Sequence, residues 1–219
     1  MSTATNAHTS TRILVLGATG GTGRLIVKEA VARGYEVTAL VRSAEKGQGL
    51  AGARLIVGDA RDAAAIRKAL KDQDAVVSAL GTPPSPFKAV RLLSAATQVL
   101  VEAMQAENVS RLVAISGIGA GDSRGHGGFV FDRLIFPLLL RKVYADKDRQ
   151  ETIIRESGLA WTLVRPAILN DKPKRGSVRA LENLAGFHGG TVSRSDVAGF
   201  VLDQVKTDTW LHRSPLVTW

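Results

Sequence analysis

A glycine-rich segment near the start of the chain has the residue types and spacing of an anion-binding turn. It reads Gly17-Ala18-Thr19-Gly20-Gly21-Thr22-Gly23 and separates an apolar run from a helical pattern. Gly17 permits a tight turn, Gly20 lets the backbone approach a phosphate, and Gly23 allows a helix to pack closely on a strand. The free N–H groups at the start of that helix then face the anion. An ATP-type P-loop is excluded, because no Gly-Lys-Ser/Thr follows.

This order of strand, turn and helix predicts a site for the pyrophosphate of a dinucleotide. The residues predicted to contact the cofactor here are Gly17, Thr19, Gly20, Gly21, Thr22 and Gly23. The alternative is a tight loop that needs its glycines only for backbone geometry.

The position that reads the adenosine ribose follows the second strand, about 20 residues after the turn. Arg42 stands there, where an acidic residue would bind the ribose 2′-hydroxyl and a cation suits a 2′-phosphate. Ser43 and Lys46 can assist. We therefore predict NADP(H) as the preferred cofactor, with NAD(H) as the alternative if Arg42 is merely solvated.

Two further segments are predicted to lie against the cofactor. Asp59, with Ala60 beside it, closes the third strand, where its carboxylate could accept from the adenine amino group. Asp62 is expected to cap the next helix instead. At the end of the fourth strand, Ala79-Leu80-Gly81 allows the cofactor to lie close to the backbone.

Short apolar strands alternate with amphipathic helical patterns along the chain, which predicts a parallel sheet covered on both faces. The predicted strands are 12–16, 36–41, 54–57, 75–79, 111–115 and 161–164, and the predicted helices lie near 24–33, 63–71, 88–107 and 132–157. The fold class is therefore α/β, a single Rossmann-like doubly wound domain over 12–219, after a disordered lead-in over 1–11.

The helical pattern at 132–157 contains Pro137, which should kink it or divide it near Phe136, and it should stop at Gly158. The apolar run 129–140 is expected to pack on the sheet of its own chain. An acceptor pocket or a dimer seam is the alternative role of this run.

The C-terminal part is expected to be less regular. Residues 165–190 are rich in Gly, Pro and charge, and they form a predicted substrate-side loop together with 117–128. Ser193 with Asp196 resembles a capping pair that opens a last helix to about residue 204. Residues 215–219 are predicted to add an edge strand.

Composition excludes several classes of function. The absence of cysteine removes disulfides and thiolate chemistry, and four histidines without carboxylate spacing predict no metal site. The net charge of +9 comes from dispersed Lys and Arg, so nucleic acid is not expected as a partner. No apolar stretch is long enough for a membrane span and no signal peptide is evident, so we predict a cytoplasmic protein with no membrane partner.

These motifs together resemble the atypical short-chain dehydrogenase/reductase family. The resemblance rests on the glycine turn, Val41-Arg42, Gly58-Asp59, Ile115-Ser116-Gly117, Lys147 and the segment from Ser157 to Pro166. Within the family, the chain is most similar to NAD(P)H-binding proteins of the flavin reductase/biliverdin reductase B and NmrA-like type. That type implies direct hydride delivery to a large planar acceptor, with positioning doing most of the catalysis.

The resemblance also implies candidate catalytic residues. The family places Tyr and Lys four residues apart on one helix, but Val143 occupies the Tyr position relative to Lys147. Tyr144 is the nearest tyrosine, and it is either the proton donor or a packing residue. Lys147 is expected to bind the cofactor ribose, and Ser116, after the fifth strand, to donate to substrate or simply to form a turn.

The remaining walls of the predicted acceptor site are 83–87, 117–128 and 166–168, with Pro166 also at the cofactor. Three functions are consistent with these residues. The first is an NADPH-dependent reductase of a flavin, tetrapyrrole, quinone or similar conjugated molecule. The second is a carbonyl reductase or epimerase that uses Tyr144, and the third is a non-enzymatic NmrA-like NADP(H) sensor. We expect a monomer or a homodimer.

Overall fold

The computed structural model of the chain describes residues 10–219, so most of the predicted lead-in lies outside the described residues. Its strands, in chain order, are β1 (Arg12–Leu16), β2 (Glu36–Val41), β3 (Ala53–Val57), β4 (Ala75–Ser78), β5 (Arg111–Ile115), β6 (Ala160–Pro166), β7 (Ile168–Asn170), β8 (Arg179–Leu181), β9 (Thr191–Ser193) and β10 (Leu216–Thr218). Its α-helices are α1 (Gly21–Ala32), α2 (Ala44–Gly47), α3 (Ala63–Leu70), α4 (Leu92–Ala106), α5 (Arg141–Glu156) and α6 (Arg194–Lys206).

The first six strands form a parallel sheet in the order β3-β2-β1-β4-β5-β6, which confirms the predicted doubly wound fold. Side chains of β1 alternate between its two faces. Ile13 and Val15 pack in the apolar cluster that contains α1 and α6 residues, whereas Leu14 and Leu16 pack in the cluster of the opposite face. Because helices cover both faces of the sheet, the side chains on both faces of β1 are apolar.

The carboxyl ends of the central strands are aligned by their register. Leu16 at the end of β1 pairs with Leu40 of β2 and Ser78 of β4. The residues that follow these strands therefore emerge at one edge of the sheet, where ligands of this type of fold bind.

The predicted edge strand at 215–219 is wrong in its position. The strand that forms there, β10, lies inside the sheet. It pairs in parallel with β6 and antiparallel with β8, so β8 forms the edge of the sheet. Residues 165–190 are accordingly more regular than predicted, since they contain β7 and β8. Gly and Pro weaken the strand signal of such short segments, whose pairing is long-range.

The helix caps follow the sequence predictions. Asp62 accepts a hydrogen bond from the Ala64 N–H at the start of α3. Ser193 accepts from the Asp196 N–H at the start of α6. Gly158 has a φ of +69°, which favours glycine where α5 ends.

The segment before α5 differs from its prediction in two ways. Residues Phe131–Leu140 form a π-helix that contains Pro137, and the change to α-helix comes at Arg141 rather than near Phe136. The expected burial of 129–140 against the sheet is also wrong: the helix packs on α5, and most of its apolar side chains are exposed. None of the helices formed by residues 10–219 is long and apolar enough to cross a membrane.

Candidate functional site

A cleft of about 770 Å³ runs along the carboxyl edge of the parallel sheet. Nearly all the site residues that were predicted from the sequence line this cleft, although they come from separate loops. Those lining it are Gly17, Thr19, Gly20, Gly21, Thr22, Gly23, Arg42, Asp59, Ala60, Ala79, Leu80, Gly81, Ser116, Tyr144, Lys147 and Pro166. Ser43 does not line it.

The glycine turn is shaped by its contacts with the residues that follow β4 and with α1. Gly17 has a φ of +73°, and a Cβ built on it would lie 2.4 Å from the carbonyl oxygen of Ala79. A Cβ on Gly23 would lie 2.1 Å from the Gly17 oxygen. Gly20 is different, because its Cβ would meet only the Gly17 oxygen at 3.3 Å, so packing alone does not require glycine there.

The start of α1 is left open for an anion. Gly20 is the N-cap residue and, among the described residues, no side chain caps this end. The first N–H groups of an α-helix have no partner within the helix, and they carry its positive dipole end. The turn therefore offers backbone donors into the cleft, as the sequence predicted for a pyrophosphate.

Arg194 joins this end of the cleft from a distant part of the chain. It is the first residue of α6, and a Cβ built on Gly21 would lie 3.2 Å from its Cδ and Nε atoms. Its Nη1 donates to Asp171 at 2.8 Å. Arg194 was not predicted from the sequence. A cation in the first turn of a helix opposes the helix dipole, so its unfavourable position was a signal that Arg194 has another role.

The end of the cleft where the sequence predicts the adenosine is more highly charged than predicted. Arg42 lines it together with Arg61, which the sequence did not nominate. Both oxygens of Asp59 accept from the Arg61 side chain, at 2.8 and 2.9 Å, and this pairing lowers the pKa of Asp59 to about 2. Ser43 instead caps α2, accepting from the Lys46 N–H at 3.4 Å.

Lys147 and Ser116 are brought together at the middle of the cleft. The Lys147 ammonium donates to the Ser116 carbonyl oxygen at 3.0 Å, and burial lowers the pKa of Lys147 to about 8. The Ser116 hydroxyl oxygen is buried and makes no hydrogen bond within residues 10–219. Ser116 lines the cleft, but its hydroxyl oxygen is not exposed to solvent there.

Tyr144 lies within a small aromatic cluster at the end of the cleft where the sequence predicts the acceptor, which we call the acceptor end. Its ring centroid lies 5.0 Å from that of Phe136 and 6.3 Å from that of Phe131. A Cβ on Gly117 would lie 3.2 Å from the phenol oxygen. Burial raises the pKa of Tyr144 to about 12. Val143, at the family's Tyr position, is buried and supplies no polar group.

A buried ion pair supports this part of the cleft. Arg165 of β6 and Glu151 of α5 are only 1% and 3% exposed, and they share two hydrogen bonds of 2.6 and 3.0 Å. Burial alone would raise the pKa of Glu151, but the Arg165 guanidinium holds this pKa below its usual range. Arg165 also donates to Asp122, in the loop after β5, at 2.5 Å. The pair thus joins α5, β6 and the 117–128 loop.

Comparisons with known proteins identify relatives over nearly the whole chain. The NAD(P)H-binding family matches residues 17–208. An uncharacterized chloroplastic protein of Arabidopsis thaliana is 31% identical over 208 residues, covering 89% of this chain and 72% of that protein. Among solved structures, ChuY, an anaerobillin reductase from Escherichia coli, has a TM-score of 0.81 at 22% identity, covering 95% of this chain and 97% of ChuY. A short-chain dehydrogenase/reductase from Veillonella parvula in complex with NADP has a TM-score of 0.78 at 18% identity, covering 95% of this chain and 94% of that one.

Proposed function

This chain belongs to the NAD(P)H-binding family, and from that premise we propose that it is an NADPH-dependent reductase of a flavin or a similar conjugated small molecule. One observation carries the proposal. The end of the cleft beyond Lys147 is walled by apolar and aromatic side chains, while Val143 replaces the proton donor of the standard family pair. Such a site suits a large planar acceptor that needs positioning more than acid catalysis.

The charged end of the cleft favours NADPH over NADH. Arg42 and Arg61 are the cations placed to receive a ribose 2′-phosphate, and the turn at Gly20 offers backbone N–H groups to the pyrophosphate. Guanidinium groups bind phosphate through paired, charge-assisted hydrogen bonds. When bound there, the nicotinamide supplies the hydride.

The chain's own residues position the reactants. Lys147, held by the Ser116 carbonyl, is placed to donate to a ribose hydroxyl. Phe131, Tyr144 and Ile168 form apolar walls against which a conjugated ring system can lie. Reduction adds a hydride and a proton to the acceptor, and in this proposal water supplies the proton. The neighbour ChuY is an anaerobillin reductase, so open-chain tetrapyrroles belong among the acceptors tested.

The test combines binding with turnover. The purified protein is titrated with NADPH and NADH, and NADPH oxidation is then followed with FMN, FAD, biliverdin, quinones and simple ketones. We expect tighter binding of NADPH and turnover with at least one conjugated acceptor. NADPH binding with no turnover on any of them would refute the reductase and support the NmrA-like sensor. Tighter binding of NADH would refute the role of Arg42.

A second candidate is a carbonyl reductase with Tyr144 as the acid. The observation in its favour is that Tyr144 lines the cleft, with its phenol beside Gly117, and stays protonated at neutral pH. It predicts turnover of ketones that Tyr144→Phe abolishes and Ser116→Ala does not. In the conjugated-acceptor reductase, Tyr144→Phe keeps the aromatic wall and most of the turnover.

A further inference from the structure

The π-helix Phe131–Leu140 has apolar side chains that pack inward and others that are exposed. On its inner side, Phe131, Phe136 and Leu140 pack around Tyr144. Its outer side is equally apolar but faces solvent. Apolar side chains of a helix are normally covered by protein or by a lipid phase, and here the chain itself covers only those on the inner side.

Six exposed apolar side chains lie in one helical segment, mostly at spacings of four residues that make them neighbours, and we call them the apolar cap. It consists of Phe129, Val130, Leu134, Ile135, Leu138 and Leu139. Phe129 is 77% exposed and Leu138 is 66% exposed, so these are not residues at the margin of the core. Monomeric proteins rarely leave a contiguous apolar surface of this kind to water.

Three cations lie in the apolar cap segment or directly after it. Arg133, Arg141 and Lys142 are all exposed within or next to it, and the Arg133 guanidinium lies 6.0 Å from the centre of the Phe129 ring. The one acidic residue in this stretch, Asp132, is partly buried and accepts from the Gly127 N–H at 3.3 Å. The surface that the cap presents is therefore apolar and positively charged.

This combination disfavours a second copy of the chain as the occupant. A twofold dimer places the same patch on both subunits, so the three cations of one copy would be brought close to the three cations of the other. Like charges brought together across an interface oppose association. An anionic surface with an apolar interior satisfies both features, because its headgroups neutralise the cations while its hydrocarbon takes up the leucines.

We propose that the apolar cap docks the protein onto the headgroup region of an anionic lipid bilayer. The chain lies on the membrane without crossing it, which changes the expectation, drawn from sequence, of no membrane partner. Phe131 and Tyr144 belong to both the inner cluster and the cleft wall, so docking brings the acceptor end of the cleft near the lipid. The docking itself rests on the surface alone and not on the proposed reductase activity.

The test is vesicle binding by the full chain. Flotation is measured with phosphatidylcholine vesicles and with vesicles that also contain phosphatidylglycerol, at low and high salt. We expect binding to the anionic vesicles that weakens with salt and is much weaker on the neutral ones. Each basic residue near such a surface contributes about fivefold in affinity, so Arg133→Gln/Arg141→Gln/Lys142→Gln should weaken binding on the order of a hundredfold.

Matched variants separate the cap from general surface properties. Arg67→Gln/Lys68→Gln/Lys71→Gln removes three exposed cations from the region of α3 and should change binding far less. Leu134→Ser/Leu138→Ser should lose binding, whereas Val57→Ser, at an exposed apolar residue elsewhere, should keep it. None of these side chains lines the cleft, so retained NADPH binding reports that each variant is folded.

Several outcomes would overturn the proposal. One is a wild-type protein that does not bind anionic vesicles, and another is binding that the cap variants leave unchanged. A dimer in solution that Leu134→Ser/Leu138→Ser dissociates, without vesicle binding, would assign the cap to self-association instead. NADPH turnover is not measured in this test. The docking proposal can therefore fail while the reductase proposal stands, and the reductase proposal can fail while the docking proposal stands.

Discussion

Arg194→Ala should weaken NADPH binding without weakening the fold. The Arg194 side chain is 28% exposed and lies over Gly21 at the open start of α1, while its partner Asp171 is 83% exposed. An exposed ion pair of this kind contributes only about 0.2–1 kcal/mol. A hydrogen bond from the guanidinium to a bound phosphate contributes about 1.5–3 kcal/mol. The difference favours transfer of Arg194 from Asp171 to the cofactor by about 1–2 kcal/mol, which corresponds to about a five- to thirtyfold change in Kd.

The assay is a fluorescence titration with NADPH at low and high salt. Arg194→Ala should raise the Kd by that factor and reduce its salt dependence. Asp171→Asn should lower the Kd about two- to fivefold, because it frees Arg194. Arg213→Ala is the matched control, since Arg213 pairs with Glu182 outside the cleft.

Stability provides the second readout for Arg194. Ser193 still caps α6 in the variant, and a cation opposes the dipole at a helix start, so Arg194→Ala should leave the unfolding free energy unchanged or slightly raised. An unchanged Kd in Arg194→Ala, or an equal loss in Arg213→Ala, would refute the reasoning.

Three further predictions concern stability, pH and the turn. Glu151→Ala leaves Arg165 buried without its main partner and should lower the unfolding free energy by about 3–5 kcal/mol in urea titrations, against at most about 1 kcal/mol for the exposed Asp122→Ala. Since Lys147 has a pKa of about 8 and a bound anion favours its charged form, NADPH affinity should be highest below that pH and fall above it, and Lys147→Met should flatten this part of the profile. Gly17→Ala forces a Cβ to 2.4 Å from a backbone oxygen and should lower NADPH affinity at least tenfold, whereas Gly34→Ala, at a φ of +77° in open space, should leave the affinity unchanged as measured by the same titration.

Much of the fold and of the cofactor end could be predicted from the sequence because their signals are local. The glycine turn joins β1 directly to α1, so its function follows from consecutive residues. The core strands are short apolar runs between amphipathic helices, and this alternation specifies a parallel sheet. The place of Arg42 also follows from a fixed distance after the turn. Other features depend on chain segments that meet only on folding.

By itself, the sequence determined the doubly wound class, the phosphate turn and the absence of a tyrosine at position 143. Only the tertiary structure placed Arg194 over Gly21, paired Arg165 with Glu151 inside the protein and moved β10 from the edge into the sheet. It also left most of the apolar residues of 129–140 exposed to solvent, although their composition is that of a core helix. The physical reason is that local periodicity records which residues share a face. Burial and ion pairing depend on what the rest of the chain brings against that face.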